Sequence, residues 1–186
     1  MLIGLLGSPA SGKTTLAAAL FSELKNQGHA VEFFPEYARE YIMKKRYRNK
    51  TSELTQVDQS VIYDEQRTIE ENYKLMSPNS TTITDGSTLN SYFYGLESDI
   101  SLKEELGRYD IVFFCRGIGK ETVDDNRVHD LDFSKQMDTR IANELFGAID
   151  GNEELKSKIH ALWGTREQRL DMAINFFKDT YETNNK

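Results

Sequence analysis

Five short apolar or β-branched runs punctuate the chain: Leu2–Leu6, Ala30–Phe34, Thr81–Thr84, Ile111–Cys115 and Ile159–Trp163. They run continuously instead of alternating with polar residues, the pattern of strands buried on both faces. Longer helix-like segments separate them, which predicts a parallel sheet covered on both sides: an α/β, three-layer α/β/α fold around five parallel strands. Thr15-Leu16-Ala17-Ala18-Ala19-Leu20 favours helix, and Gly28 is placed to end it. A long amphipathic stretch carries Leu54, Val57, Val61, Ile62, Ile69 and Tyr73, with Thr51 or Ser52 as its cap and Ser77-Pro78-Asn79 as its stop. Ser101 with Glu104, and Thr165 with Gln168, have capping-box spacing. A further helix is predicted around Gln136–Ile149. Thr183 to Lys186 reads as a frayed tail, and no internal repeat or low-complexity tract interrupts the pattern.

Composition narrows the picture. The 186 residues suit one domain spanning 1–186. Hydrophobic residues make up 38% and charged residues 28%, enough for both a core and a solvated surface. A formal net charge of −7 argues against nucleic-acid binding as the main activity. Lys44-Lys45-Arg46-Tyr47-Arg48-Asn49-Lys50 is the exception, a solvated helix end or a clamp for a phosphorylated substrate. Cys115 is the single cysteine and sits in an apolar run, as a core thiol would. His29, His129 and His160 lack zinc-site spacing. No apolar run has the length of a signal peptide or membrane span, so a cytoplasmic setting is expected.

The chemistry starts after the first run. Gly7-Ser8-Pro9-Ala10-Ser11-Gly12-Lys13-Thr14 is G-x-x-x-x-G-K-[ST], between a predicted strand and a predicted helix. Backbone N–H groups of such a loop wrap phosphates, and the helix N-terminus adds partial positive charge. Lys13 is expected to reach the β- and γ-phosphates, the Thr14 hydroxyl to hold Mg²⁺, and Thr15 to complete the nucleotide contacts.

Ligands in parallel sheets sit beyond the C-terminal strand ends, so the residues just past each run are the next candidates. The second run leads into Pro35-Glu36-Tyr37-Ala38-Arg39-Glu40-Tyr41. Glu36 there can take a proton from a substrate hydroxyl or simply decorate a helix N-terminus. The third ends in Asp85, which can bind Mg²⁺ or act as base, or cap a turn. Tyr92, Phe93 and Tyr94 come soon after. The fourth leads into a polar stretch with Arg116, Lys120 and Arg127, and Arg140 further on, a lid-like segment at about 117–140 that can close over phosphates. The fifth leads into Gly164, where a turn beside the phosphate loop suits adenine; Arg169 beyond it can pair with an acid on its own helix.

With these pieces in place, the chain resembles a family of small P-loop proteins that includes the nicotinamide-riboside-kinase domain of bifunctional NAD-salvage proteins. Gly7–Thr15, Pro35–Tyr41, Asp85 with Leu89-Asn90-Ser91-Tyr92, Tyr109-Asp110-Ile111-Val112, Asp124–Arg127 and Gly164 with Arg169 carry the resemblance. It implies a P-loop kinase-like fold, ATP and Mg²⁺. It places the acceptor near Glu36, Arg39, Asp85, Asn90 and Tyr92, the metal at Thr14 and Asp85, and a lid arginine at Arg127. The relatives usually carry glycine where Asn126 stands, and a second, adenylyl-transferring domain is expected to be absent. The expected activity is phosphoryl transfer from ATP to a small nucleoside-like hydroxyl, with Lys13, Glu36, Asp85 and Arg127 as the catalytic set. Either Glu36 or Asp85 engages the acceptor while the other orients Mg²⁺ or its waters. A nucleotide or nucleoside-monophosphate kinase and an ATPase switch acting on a macromolecule are the alternatives.

Overall fold

A computed structural model describes residues 1–96, 99–117 and 131–184. Its strands are β1 (Leu2–Leu6), β2 (Val31–Phe34), β3 (Thr81–Thr84), β4 (Ile111–Cys115) and β5 (Ile159–Leu162). All pair in parallel, in the order β2-β3-β1-β4-β5. The helices are α1 (Lys13–Asn26), α2 (Tyr37–Asn49), α3 (Gln56–Met76), α4 (Thr88–Phe93), α5 (Leu102–Gly107), α6 (Leu131–Ile149), α7 (Glu153–Lys158) and α8 (Arg166–Asn184). Trp163 lies just beyond β5 and is 61% exposed, outside the strand expected to contain it.

Strand alternation builds one core on each face of the sheet, giving the three-layer α/β/α sandwich. Ile3, Leu5, Ile111, Phe113 and Cys115 face α1 and α8, where Leu16, Leu20, Leu24, Ala173 and Phe177 meet them. Leu2, Leu6, Val112 and Phe114 face α4, α5 and α6, through Leu89, Phe93, Leu106, Met137, Ile141 and Leu145. Burial pushes the Cys115 thiol up to about 12, so it stays a protonated core group. Gly4 lies in β1 on the second face for want of room. A Cβ there would stand 2.7 Å from the Tyr109 ring.

Helix ends obey the sequence signals in most places. Gly28, at φ +85°, ends α1, and the His29 N–H reaches back to the Leu24 carbonyl. Both expected capping boxes form, Ser101 with Glu104 and Thr165 with Gln168. The long amphipathic helix differs. Its cap is Thr55, boxed with Asp58, instead of Thr51 or Ser52. Its apolar stripe is the buried face only in part: Ile62 is buried, but Val57 is 73% and Val61 37% exposed, while Asp58, Gln66 and Glu70 are buried beside Ile62 and Tyr63. α3 packs against polar strand ends, so its inward face carries hydrogen-bonding side chains.

α6 begins at Leu131, so residues 131–140 of the expected lid form a packed helix with Met137 in the core. Residues 118–130, including Lys120, Asp124, Asn126 and Arg127, lie outside the described residues.

Filling Gly4 should be costly, because the Tyr109 ring is itself fully buried. Gly4→Ala is expected to lose about 1–3 kcal/mol of stability, read as a lower urea midpoint at unchanged slope.

Candidate active site

β1, β2, β3 and β5 deliver their chemistry at one edge of the sheet. Gly7 opens the phosphate loop by packing closely; a Cβ there would meet the Cys115 carbonyl and the Ser11 hydroxyl at 2.6 Å. Ala10 and Gly12 adopt positive φ, +64° and +88°, turning the loop sharply into α1. The Lys13 ammonium donates to the carbonyls of Gly7 at 2.9 Å and Ser8 at 3.0 Å, which curls it over the loop. The Ser8 and Ser11 hydroxyls are buried and find no partner among the described residues. Buried polar groups are normally satisfied, so these two fit a loop that wraps an anion.

One buried cation fastens this loop. Arg169 donates to the Ser11 carbonyl at 2.7 Å, the Arg116 carbonyl at 2.9 Å and the Gly164 carbonyl at 3.1 Å. The described residues place no carboxylate in ion-pair range of it, so the expected pairing on its own helix is replaced by a clamp on three backbone segments. Gly164 occupies its turn with φ +90°, where a side chain would also strike Gln168. Arg116 is held by Asp138 at 3.0 Å, and Arg140 by Glu144 and the Phe93 carbonyl.

Two carboxylates face the loop from the neighbouring strand ends. Asp85 is buried at the end of β3, lies close enough to the Thr14 hydroxyl for that group to lower its carboxyl, and leaves Oδ1 without a partner among the described residues. Glu36 comes after β2 as the N-cap residue of α2. Gly86, at φ +73°, makes room for it: a Cβ there would stand 2.4 Å from Glu36 Cγ. Desolvation raises both acids, offset in each by the Lys13 charge and by Arg39, and Asp85 raises Glu36 further. Lys13, Thr14, Glu36, Arg39 and Asp85 therefore form one electrostatic cluster. Thr14 with the free Asp85 oxygen is a donor set that fits a hard divalent cation.

Other expected residues separate. Asn90 is buried, its amide donating to the Leu5 carbonyl at 3.4 Å beneath the loop, beside Ser87 Oγ at 3.1 Å. Tyr92 is half-buried against the core, its ring edge-on to Phe93. Tyr94 is the aromatic whose hydroxyl feels the Glu36 charge, which with burial raises it. Nothing in the spacing of the three aromatics distinguishes it. Within the basic run, Lys44 pairs with Glu40 and Lys45 with Asp58. The run is the C-terminal half of α2, where positive charge suits the helix dipole.

Behind the acids lies a buried polar network that sequence reading missed. Glu70 receives Tyr109 Oη at 2.8 Å and the Thr88 N–H at 3.2 Å, and it shares the Arg108 guanidinium with buried Glu105. Glu105 receives Tyr63 Oη at 2.8 Å. Burial pushes Glu70 up to about 7, against the pull of Arg108 and Tyr109.

A family model described as AAA domain matches residues 2–169. No curated protein matches the sequence. Among solved structures, a NadR protein in complex with NR superposes with a TM-score of 0.67 at 19% identity, over 96% of this chain and 51% of that one. The chain thus spans about half the length of that structure. A thymidylate kinase from Candida albicans gives 0.62 at 14% identity, covering 97% of this chain and 92% of the other. A deoxyadenosine kinase from M. mycoides with bound dATP gives 0.56 at 14%, covering 96% and 100%. The architecture is therefore that of P-loop kinases.

Glu70 makes stability depend on pH. A carboxyl raised from 4.5 to about 7 keeps its proton in the fold where the unfolded chain has lost it. Its stabilisation is full below the ordinary carboxylate range and disappears as pH rises through about 7. The melting temperature should fall between about pH 5 and pH 8. Glu70→Gln should flatten that fall; an unchanged slope would contradict the assignment.

Proposed function

The chain belongs to the AAA domain family of P-loop proteins, and from that premise we propose that it is an ATP- and Mg²⁺-dependent kinase. It moves the γ-phosphoryl group of ATP to the hydroxyl of a small nucleoside-like acceptor, and nicotinamide riboside is the acceptor we favour. The observation that carries this is the second carboxylate. Glu36 stands beside Asp85, with Lys13 coupled to both, so a hydroxyl and a phosphate can meet in one electrostatic cluster. The likeness to a NadR structure in complex with NR and to a deoxyadenosine kinase supports the acceptor class.

The loop from Gly7 to Thr15 holds the phosphates, with Lys13 neutralising the β- and γ-oxygens. Thr14 and Asp85 would hold Mg²⁺, which when bound neutralises the charge gathering between the β- and γ-phosphates. The nearness of the Thr14 hydroxyl to Asp85 supports that side for Asp85 and leaves Glu36 as the base. Glu36 accepts the acceptor hydroxyl's proton while that oxygen bonds to the γ-phosphorus and the bond from phosphorus to the ADP oxygen breaks. Arg39 and Asn90 border the acceptor, and the Gly164 turn, with exposed Trp163 beside it, borders the adenine. Arg127 is assigned to transition-state charge by the family resemblance alone.

ADP release from Mg·ATP, with nucleosides, nucleoside monophosphates and nicotinamide riboside in turn, tests the reading directly. One acceptor should stimulate release strongly and gain a phosphate by mass. Lys13→Ala should lower the rate by about 100-fold or more, and Glu36→Gln should lower kcat by about 10²–10⁴-fold. The raised Glu36 carboxyl places the acid limb of the kcat/KM profile above the ordinary carboxylate range. Release that no acceptor changes would point instead to an ATPase.

Trp163 supplies an independent readout, because it is the single tryptophan and is exposed beside the Gly164 turn. Mg·ATP should change its fluorescence saturably in wild type, with the response weakened in Lys13→Ala. An unaffected signal would remove adenine from the β5–α8 turn.

A further inference from the structure

The helix that leads away from Glu36 is held to the molecule mainly by polar contacts. α2 contains no fully buried residue. Its half-buried positions are Tyr37, Ala38, Tyr41, Ile42 and Lys45, one stripe at helical spacing. Facing them, α3 turns Asp58, Ile62 and Gln66, again four residues apart and all buried. Polar contacts join the stripes. The Tyr41 hydroxyl donates to Asp58 Oδ1 at 2.7 Å. The Lys45 ammonium pairs with the other Asp58 oxygen. The Tyr37 N–H donates to Gln66 Oε1 at 3.2 Å.

The Gln66 contact occupies a particular place. The Tyr37 N–H is the first of α2, a donor with no partner inside its own helix. Glu36, at the N-cap, gives no side-chain cap, so Gln66 caps α2 from the neighbouring helix. Its other end donates from Nε2 to Thr84 Oγ1 at 2.7 Å. Glu70 Oε1, 3.4 Å from Nε2, keeps the donor end inward and the acceptor end on Tyr37. Tyr37 is next to Glu36 and Thr84 is next to Asp85, so one 2%-exposed amide spans the neighbours of both acids. The sheet holds the arm as far as Phe34, whose carbonyl takes the Asp85 N–H at 2.8 Å. Past it come the exposed Pro35 and half-buried Glu36, then the Gln66 tie.

We propose that Gln66, backed by the Asp58 contacts to Tyr41 and Lys45, is a positioning residue that sets Glu36 against Asp85 and thereby governs acceptor affinity. The acceptor half of this inference rests on the kinase reading, whereas the latch between α2 and α3 does not. Among the described residues the Gln66 amide bonds to Tyr37, Thr84 and Glu70 and to no residue of the loop, so its loss separates acceptor binding from ATP binding.

The test uses the full chain in three forms. Gln66→Leu keeps the bulk and removes all three hydrogen bonds of the amide. The double variant Tyr41→Phe/Lys45→Met empties the Asp58 contacts while leaving Asp58 in its capping box. Lys45→Arg keeps the ion pair and serves as the conservative rescue. Hydrogen exchange of the 37–49 amides should accelerate about tenfold or more in the first two and not in the third, with β1 and α1 unchanged. The acceptor KM should rise about tenfold, with the ATP KM within about twofold of wild type. Unchanged exchange across α2 in Gln66→Leu would overturn the latch. Acceptor and ATP KM rising together with a lowered Tm would make Gln66 a core residue and overturn the positioning role. If wild type phosphorylates no acceptor, the kinase reading and the acceptor role fall together, while the exchange rates still decide whether the latch exists.

Discussion

A buried guanidinium without a carboxylate partner among the described residues holds the nucleotide side of this molecule together. Removing Arg169 from water is tolerable only because backbone carbonyls of three separate segments take its N–H groups. Those segments are the phosphate loop, the residue after β4 and the turn after β5. Each is a connection at the C-terminal end of a strand. This positive charge, with that of Lys13, also favours an anion at the loop, as the helix N-terminus does. The same group thus orders the loop and biases what it binds.

The acceptor side is held by different means. Its acids sit where β2 and β3 end in register, Phe34 beside Thr84. Gly86 lets Glu36 press against the β3 turn. Behind them Gln66, Glu70, Thr88, Glu105, Arg108 and Tyr109 form a satisfied buried network, in which two carboxylates share one guanidinium. Burial raises Glu70 to about 7 against the pull of that guanidinium. Networks of this kind specify orientation more than they add stability.

Much of this was legible in the chain. The strands declared themselves because burial on both faces demands unbroken apolar runs, and the phosphate loop because its glycines and Lys13 occupy fixed offsets. Asp85 and Glu36 stood out as acids immediately past the ends of apolar runs, where parallel sheets place their ligands. The face of α3 was not legible. An apolar stripe marks a buried face only where the neighbours are apolar, and α3 leans on polar strand ends, so Val57 and Val61 face solvent. The Thr55-x-x-Asp58 spacing did carry the true cap, outcompeted by an earlier Thr-Ser pair. Arg169 looked like half of a helical ion pair because sequence shows acids nearby in the chain and never carbonyls nearby in space. Tyr94, not Tyr92, sits near Glu36 because of the helical phase at the end of α4, which three successive aromatics cannot reveal.

The contrast between the two sides carries a consequence for recognition. Apolar burial and the Arg169 clamp give the nucleotide side many simultaneous constraints, suited to a ligand that does not change. Among the described residues, the contacts from α2 to α3 are hydrogen bonds and an ion pair, each worth little alone. Such an element opens at low cost and closes when a ligand supplies the remaining contacts. Binding energy from the acceptor's remote groups can then be spent on bringing Glu36 into line, so that a poor acceptor loses rate as well as affinity. On the proposed kinase reading, discrimination among acceptors is in this way lodged in α2 and α3, while the phosphate chemistry stays fixed at the other edge of the cleft.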